Sequence, residues 1–247
     1  MTSRDFMRSS NGIKAIFFDL DGTLRHSVPS GGEIFTEYVR TLGVSFSRED
    51  HLRALRWEHS YWANSTNLLE DLKTHEGESE NFWIEYSRRR LVALGISPLQ
   101  SVELAPRVSA HMGETYKPES IVPEDARRVL PELKVAGYIL GVISNRDKPF
   151  HETLESHGIG EFFNFSLAGG EVDAYKPEPG IFEHALKRVG LQAQEAIYVG
   201  DNYFADVIGS RRAGIQPVLY DPNGLFPDAD CARIKSFDEL IPVINIL

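Results

Sequence analysis

The stretch Ile13-Lys-Ala-Ile-Phe-Phe-Asp-Leu-Asp-Gly-Thr-Leu24 constrains this chain more than any other. Ile13, Ala15, Ile16, Phe17 and Phe18 form an apolar run of strand length, closed by the turn signal Asp21-Gly22. A nearly continuous apolar run predicts a strand covered on both faces, the centre of a parallel sheet. Asp19 and Asp21 follow where that strand ends, and positions two apart on a strand point the same way. At the carboxyl end of a parallel strand, that direction is the crevice in which open α/β sheets bind ligands. Two neighbouring carboxylates repel, so the pair requires a cation or a shared proton.

The rest of the chain reads in two blocks. Residues 1–11 read as a frayed polar leader, and 25–32, with Ser, Pro and two glycines, as an exposed connection. Helical periodicity then predicts helices over 33–42, 48–63, 66–74, 79–94 and 98–116, with Gly43 and Gly95 as stops. Ser47 and Asp50 have the spacing of a capping box at the second of these. Beyond Pro118, helices and strands alternate: helix 124–136, strand 138–144, helix 148–157, strand 163–168, helix 179–189, strand 196–200, helix 204–213 and strand 217–220. Pro131 predicts a kink or a late start in the first of these helices, and 237–247 a last helix or irregular packing. Repeating βα units imply a doubly wound parallel sheet of the α/β class. The expected domains are an α/β core of residues 12–26 and 118–247 and a helical subdomain, 27–117, inserted into it.

Further chemistry-bearing residues fall at the strand ends or helix starts of that sheet. Ser144-Asn145 closes one strand and offers a hydroxyl and turn N–H groups suited to phosphate. Lys176, in Tyr-Lys-Pro-Glu-Pro-Gly, precedes a helix; taken alone, such a lysine is a solvated surface charge. Gly200-Asp201 ends another strand, with Asp206 near the start of the next helix.

Asp-Leu-Asp-Gly-Thr behind an apolar strand, Ser144, Lys-Pro-Glu-Pro and Gly-Asp-Asn-Tyr-Phe-Ala-Asp resemble, in order, the four motifs of the haloacid dehalogenase-like hydrolases. The resemblance covers residues 13 to about 222, the core and not the insert; the Glu171–Val172 segment fits loosely. It implies a Rossmann-like core and a Mg²⁺-dependent phosphatase acting on small phosphorylated metabolites. Asp19 would be the nucleophile and Asp21 the general acid/base; Ser144, Asn145 and Lys176 would hold the phosphate, Lys176 also acting in catalysis by balancing the charge of nucleophile and phosphate. The Asp19 carboxylate, the Asp21 carbonyl and Asp201 would ligate the metal, with Asp206 and Thr23 in support. The insert corresponds to a helical cap of the C1 type. Asp21 favours phosphoryl chemistry, because C–halogen and phosphonate-cleaving relatives usually lack it; a phosphosugar mutase is the alternative. A dehalogenase or a non-catalytic binding protein fits the intact motif set less well.

Arg25, His26 and Arg146 are candidates for substrate contact or are solvated loop residues. In the insert, Leu52, Leu55, His59 and Trp62 share one helical face and Trp57 and Tyr61 another, as core or as a substrate pocket. The formal net charge of −10 argues against a nucleic-acid partner, whose phosphates need cationic contacts. The absence of an 18-residue apolar run argues against a membrane span. A single cysteine, Cys231, and an N-terminus without an apolar core suggest a cytoplasmic protein, monomer or homodimer being left open.

Overall fold

The computed structural model describes residues 12–247; the expected polar leader, 1–11, lies outside the described residues. The apolar run forms β1 (Ala15–Phe18), buried at every position. After β2 (His26–Val28) come α1 (Gly31–Thr41), α2 (Arg48–Trp62), α3 (Thr66–Thr74), α4 (Ser79–Ala93) and α5 (Pro98–Thr115). Next follow β3 (Glu119–Ile121), α6 (Glu124–Val135), β4 (Ile139–Ser144), α7 (His151–Ser156), β5 (Phe165–Ala168) and the short α8 (Gly169–Val172). The chain ends with α9 (Gly180–Val189), β6 (Ala196–Gly200), α10 (Ile208–Arg212), β7 (Gln216–Tyr220), β8 (Ala232–Ile234) and α11 (Leu240–Ile244).

Two compact units result: the chain through His26 together with Ile121–Leu247, and Ser27–Ser120. Where the chain passes between them, β2 and β3 pair as a two-stranded ribbon. The first unit holds a six-stranded sheet in the order β5-β4-β1-β6-β7-β8, with every neighbouring pair parallel. This is the doubly wound parallel sheet expected from the alternating pattern. After β1 the strands add on one side as β4 and β5, and then on the other as β6 to β8. The reversal at β1 opens a crevice at the carboxyl ends of β4, β1 and β6.

Strand alternation divides β1 between two cores. Ile16 and Phe18 pack with Leu130, Val142, Val199 and Phe237 on one face. Ala15 and Phe17 pack with Ile143, Phe182 and Tyr198 on the other. Each fully buried Phe contributes about 1.5–3 kcal/mol relative to an exposed one, so the strand is held firmly from both sides.

In the helical unit, Phe35, Val39, Leu91, Leu94, Leu104 and Val108 form one core, and Tyr61, Leu68, Phe82 and Tyr86 a second. Ser47 and Asp50 cap α2 reciprocally, as their spacing predicts. Packing distinguishes the two faces that helical spacing groups on α2. Ala54 and Tyr61 are its fully buried positions, with Trp57 packed against Tyr61, whereas Trp62 is 38% exposed. Trp62 and Trp83 instead line a cavity of about 770 Å³ with Tyr86, Arg90 and Met112.

Local corrections have local causes. The connection over 25–32 already contains β2 and the start of α1, because Ser30 and Glu33 make a second capping box. Pro131 neither delays nor divides α6, which begins just after Pro123. Helix α7 starts at His151 rather than 148, since Pro149 keeps the preceding residue out of helical conformation. The helix expected over 204–213 opens as a π-turn, Tyr203–Val207, in which the Asn202 side chain accepts from the Phe204 and Ala205 N–H groups. Strands β2, β3 and β8 carry no periodic signal, since each has three residues, too few to show a period. Among the described residues, no helix is long and apolar enough to cross a membrane.

Candidate active site

The carboxyl end of β1 leads directly into the site. Asp19 is 6% exposed, its N–H bonded to the Val199 carbonyl of neighbouring β6 at 2.9 Å. The turn that follows is closed by Gly22 N–H to Arg25 O and Arg25 N–H to Leu20 O, each 2.8 Å. Gly22 has φ +96°, and a Cβ there would lie 2.4 Å from Asp201 Oδ2. Both the left-handed backbone and the close approach therefore demand glycine. Thr23 ties this turn to the end of β6: its hydroxyl donates to Asp201 Oδ1 at 3.1 Å and accepts from the Asp201 N–H at 2.9 Å. Gly22→Ala should lower kcat/KM by about 10²-fold or more by displacing Asp201. A steady-state assay checks this, and near-normal turnover would count against Asp201 as a site residue.

Lys176 is the hub. Its Nζ donates to Asp19 Oδ1 at 2.6 Å, to Asp206 Oδ1 at 2.7 Å and to the Tyr198 hydroxyl at 3.0 Å, which employs all three ammonium hydrogens. The surface charge expected of an isolated lysine is thus a buried one, 3% exposed. Burial opposes the ammonium, but Asp19 and Asp206 outweigh it and hold the Lys176 pKa well above its ordinary value. Burial pushes the Asp19 carboxyl up to about 7, against the pull of Lys176 and with a push from Asp206. Burial, reinforced by the Asp19 charge, also raises Asp201 well above the ordinary carboxylate value.

One oxygen from each of Asp19, Asp201 and Asp206 lies within 4.8 Å of the others. Against three carboxylates Lys176 supplies one positive charge, so the cluster is suited to a divalent cation.

Asp21 lies apart from this cluster. Its carboxylate accepts a fork from Arg146 (Nε to Oδ2 at 2.8 Å, Nη2 to Oδ1 at 2.9 Å) and a third bond from Arg25 Nη1 at 2.6 Å. Partial burial would raise its pKa, but Arg146 and then Arg25 hold it below the ordinary carboxylate value. His26, a possible substrate contact by its position, turns its Nε2–H to the Thr23 carbonyl at 2.9 Å and packs against the Tyr220 ring. Burial lowers its pKa and favours the neutral ring.

Ser144 is buried at the end of β4. The Asn145 side chain is engaged with the lysine loop: Nδ2 donates to the Lys176 carbonyl at 2.8 Å and Oδ1 accepts from the Lys176 N–H at 2.7 Å. It braces the lysine loop. Trp57 and Tyr61 belong to the helical unit, and Tyr61 is 1% exposed with its hydroxyl donating to Asp71 at 2.9 Å. Tyr61 is thus a core side chain of that unit.

Sequence reasoning misses Tyr198. Its hydroxyl accepts from Lys176 and donates to the Ile143 carbonyl at 3.0 Å, linking β6 to β4 beneath the lysine. A tyrosine in an otherwise aliphatic central strand is the signal that could have found it, because a buried hydroxyl needs a partner.

A family model described as haloacid dehalogenase-like hydrolase matches residues 16–220. The phosphoglycolate phosphatase of Vibrio cholerae is 28% identical, over 82% of this chain and 81% of its own. The glyceraldehyde 3-phosphate phosphatase of Pyrococcus abyssi is 30% identical, over 84% and 81%. Among solved structures, a HAD phosphatase from Thermococcus onnurineus shares the fold with a TM-score of 0.56 at 24% identity, covering 94% of this chain and 98% of that one. With the motif residues gathered at the carboxyl ends of β1, β4 and β6, the chain belongs to the haloacid dehalogenase-like hydrolases.

Proposed function

We propose that this enzyme hydrolyses small phosphomonoesters through an aspartyl-phosphate formed on Asp19. The observation that carries this reading is the Lys176 ammonium held between two buried carboxylates, Asp19 at the end of β1 and Asp206 in the turn that follows β6. A carboxylate repels a phosphate dianion, so in-line attack demands compensating positive charge. Lys176 supplies one such charge, and the Ser144 hydroxyl orients the phosphoryl group. Asp19 attacks phosphorus, the P–O bond to the leaving alcohol breaks, and the alkoxide takes a proton from Asp21, which acquires it from solvent once its carboxylate is freed from Arg146 and Arg25. Asp21 then accepts a proton from the water that attacks the aspartyl-phosphate, and Asp19 is restored as phosphate departs. Phosphatase names among the relatives support phosphoryl chemistry.

The all-oxygen donor set fits Mg²⁺, which Asp19, Asp201 and the Asp21 carbonyl would hold, Asp206 supporting them. When bound, Mg²⁺ supplies positive charge against the phosphate dianion. Heavy-oxygen water tests the covalent step. After single-turnover hydrolysis, label should enter the Asp19 carboxylate, and label found in phosphate alone would mean direct attack by water.

The helical unit, inserted between β1 and β4, is proposed as the cap that sets specificity. Trp62→Ala, on its aromatic cavity, should reorder kcat/KM across a phosphometabolite panel while sparing an aryl phosphate. An unchanged ranking would locate specificity in the sheet unit.

A further inference from the structure

The proposed acid, Asp21, is held by two arginines in an arrangement that the reaction steps above do not use. Arg146 grips it bidentately and Arg25 adds a third bond, so one carboxylate answers two guanidinium charges. The side chains of Asp21, Arg25 and Arg146 are 40%, 26% and 32% exposed, unlike the buried Lys176 pairs. An exposed pair adds little to stability and yields readily to a competing anion. The arginines themselves are well anchored. Arg146 lies over the Phe150 ring, and its backbone carbonyl accepts from the Gly170 N–H at 3.1 Å. The Arg25 N–H is bound within the turn by Leu20 O.

Register places this cluster relative to the phosphoryl site. β1 and β4 are parallel neighbours with Phe18 opposite Val142. Asp19 therefore falls level with Ile143, one residue short of Ser144, and Asp21 and Arg146 follow Asp19 and Ser144 by two residues along their respective chains. A group held by the arginines would sit beyond the phosphorus on the mouth side, where a leaving alcohol emerges. The excess positive charge there contrasts with a chain of net charge −10.

We propose that Arg25 and Arg146 form a subsite for an anionic group on the leaving alcohol, and that the Asp21 carboxylate occupies it in the resting enzyme. A phosphate ester whose alcohol bears a carboxylate displaces Asp21 from the guanidinium fork. The released side chain is then available to the leaving oxygen. The favoured substrate class is thus short phosphorylated hydroxy acids, and a neutral alcohol leaves Asp21 engaged. This inference rests on the phosphomonoesterase reading for its catalytic meaning, but the subsite itself is defined by binding.

Calorimetry in Mg²⁺ buffer with 3-phosphonopropionate and propylphosphonate, which differ by a terminal carboxylate, tests the subsite directly. The intact enzyme should bind the carboxylated phosphonate about tenfold or more tightly, the scale of a charge-assisted bidentate contact. Arg146→Met should bring the two affinities together. Asp21→Ala should tighten 3-phosphonopropionate, because its internal competitor is gone, with propylphosphonate little changed. Two phosphonates bound equally by the intact enzyme, bound by neither, or weakened in parallel by Arg146→Met, would overturn the subsite. If no phosphate ester is hydrolysed while the binding preference persists, the phosphatase reading falls and the anion subsite stands.

Discussion

Asp19→Asn should reduce kcat by on the order of 10⁴–10⁶-fold while the protein remains folded, as expected when a covalent nucleophile is removed. Asparagine keeps the shape of the side chain and an oxygen to accept from Lys176, so the loss reads chemistry rather than packing. The same substitution removes a carboxylate from a buried cluster shared with Asp201 and Asp206. The metal-free variant should therefore melt at the same or a higher temperature than the metal-free wild type at pH 8. Circular dichroism melts and steady-state turnover of an aryl phosphate together check both halves. Retention of more than about a hundredth of the activity would assign the attack to another group.

Chelation of divalent metal should abolish activity, and Mg²⁺ should restore it, with Ca²⁺ a poor substitute because of its looser coordination. The effect on stability has a definite pH dependence. Burial pushes the folded-state pKa of Asp19 to about 7, from an ordinary value of 3.8, with Lys176 pulling it back in part. The folded protein thus holds its proton over a range where the unfolded chain has lost it. For Asp19 alone, metal-free stability is unpenalised below about pH 4, declines as pH rises towards 7 and levels off above it. A bound cation must displace that proton at low pH, so Mg²⁺ should raise the melting temperature more at pH 8 than at pH 5. Equal shifts at both values, or full activity in chelator, would refute a metal bound through Asp19.

Much of the catalytic framework is legible in the amino-acid sequence, because its signals are local. The buried run of β1, the Asp19 and Asp21 pair at its exit, and Gly200-Asp201 after another apolar strand lie within single strand–turn segments. Within such segments, burial and direction follow from alternation. Lys176 needs the motif around it, since its own residue type predicts exposure. What each of these side chains touches is decided by tertiary contacts. Arg146 reaches Asp21 across 125 residues, Asn145 braces Lys176 across 31 and Tyr198 supports it across 22. No periodicity spans such separations; the parallel pairing of β1 with β4 and β6 creates them. On α2, helical spacing groups residues into faces, but only the packing of α3 and α4 selected Tyr61 for the core and left Trp62 on a cavity. The sequence by itself therefore determined the sheet, its acidic strand ends and the insertion of a helical block. The tertiary structure alone decided which charges meet there, because ion pairs and buried hydroxyls are satisfied by partners remote along the chain.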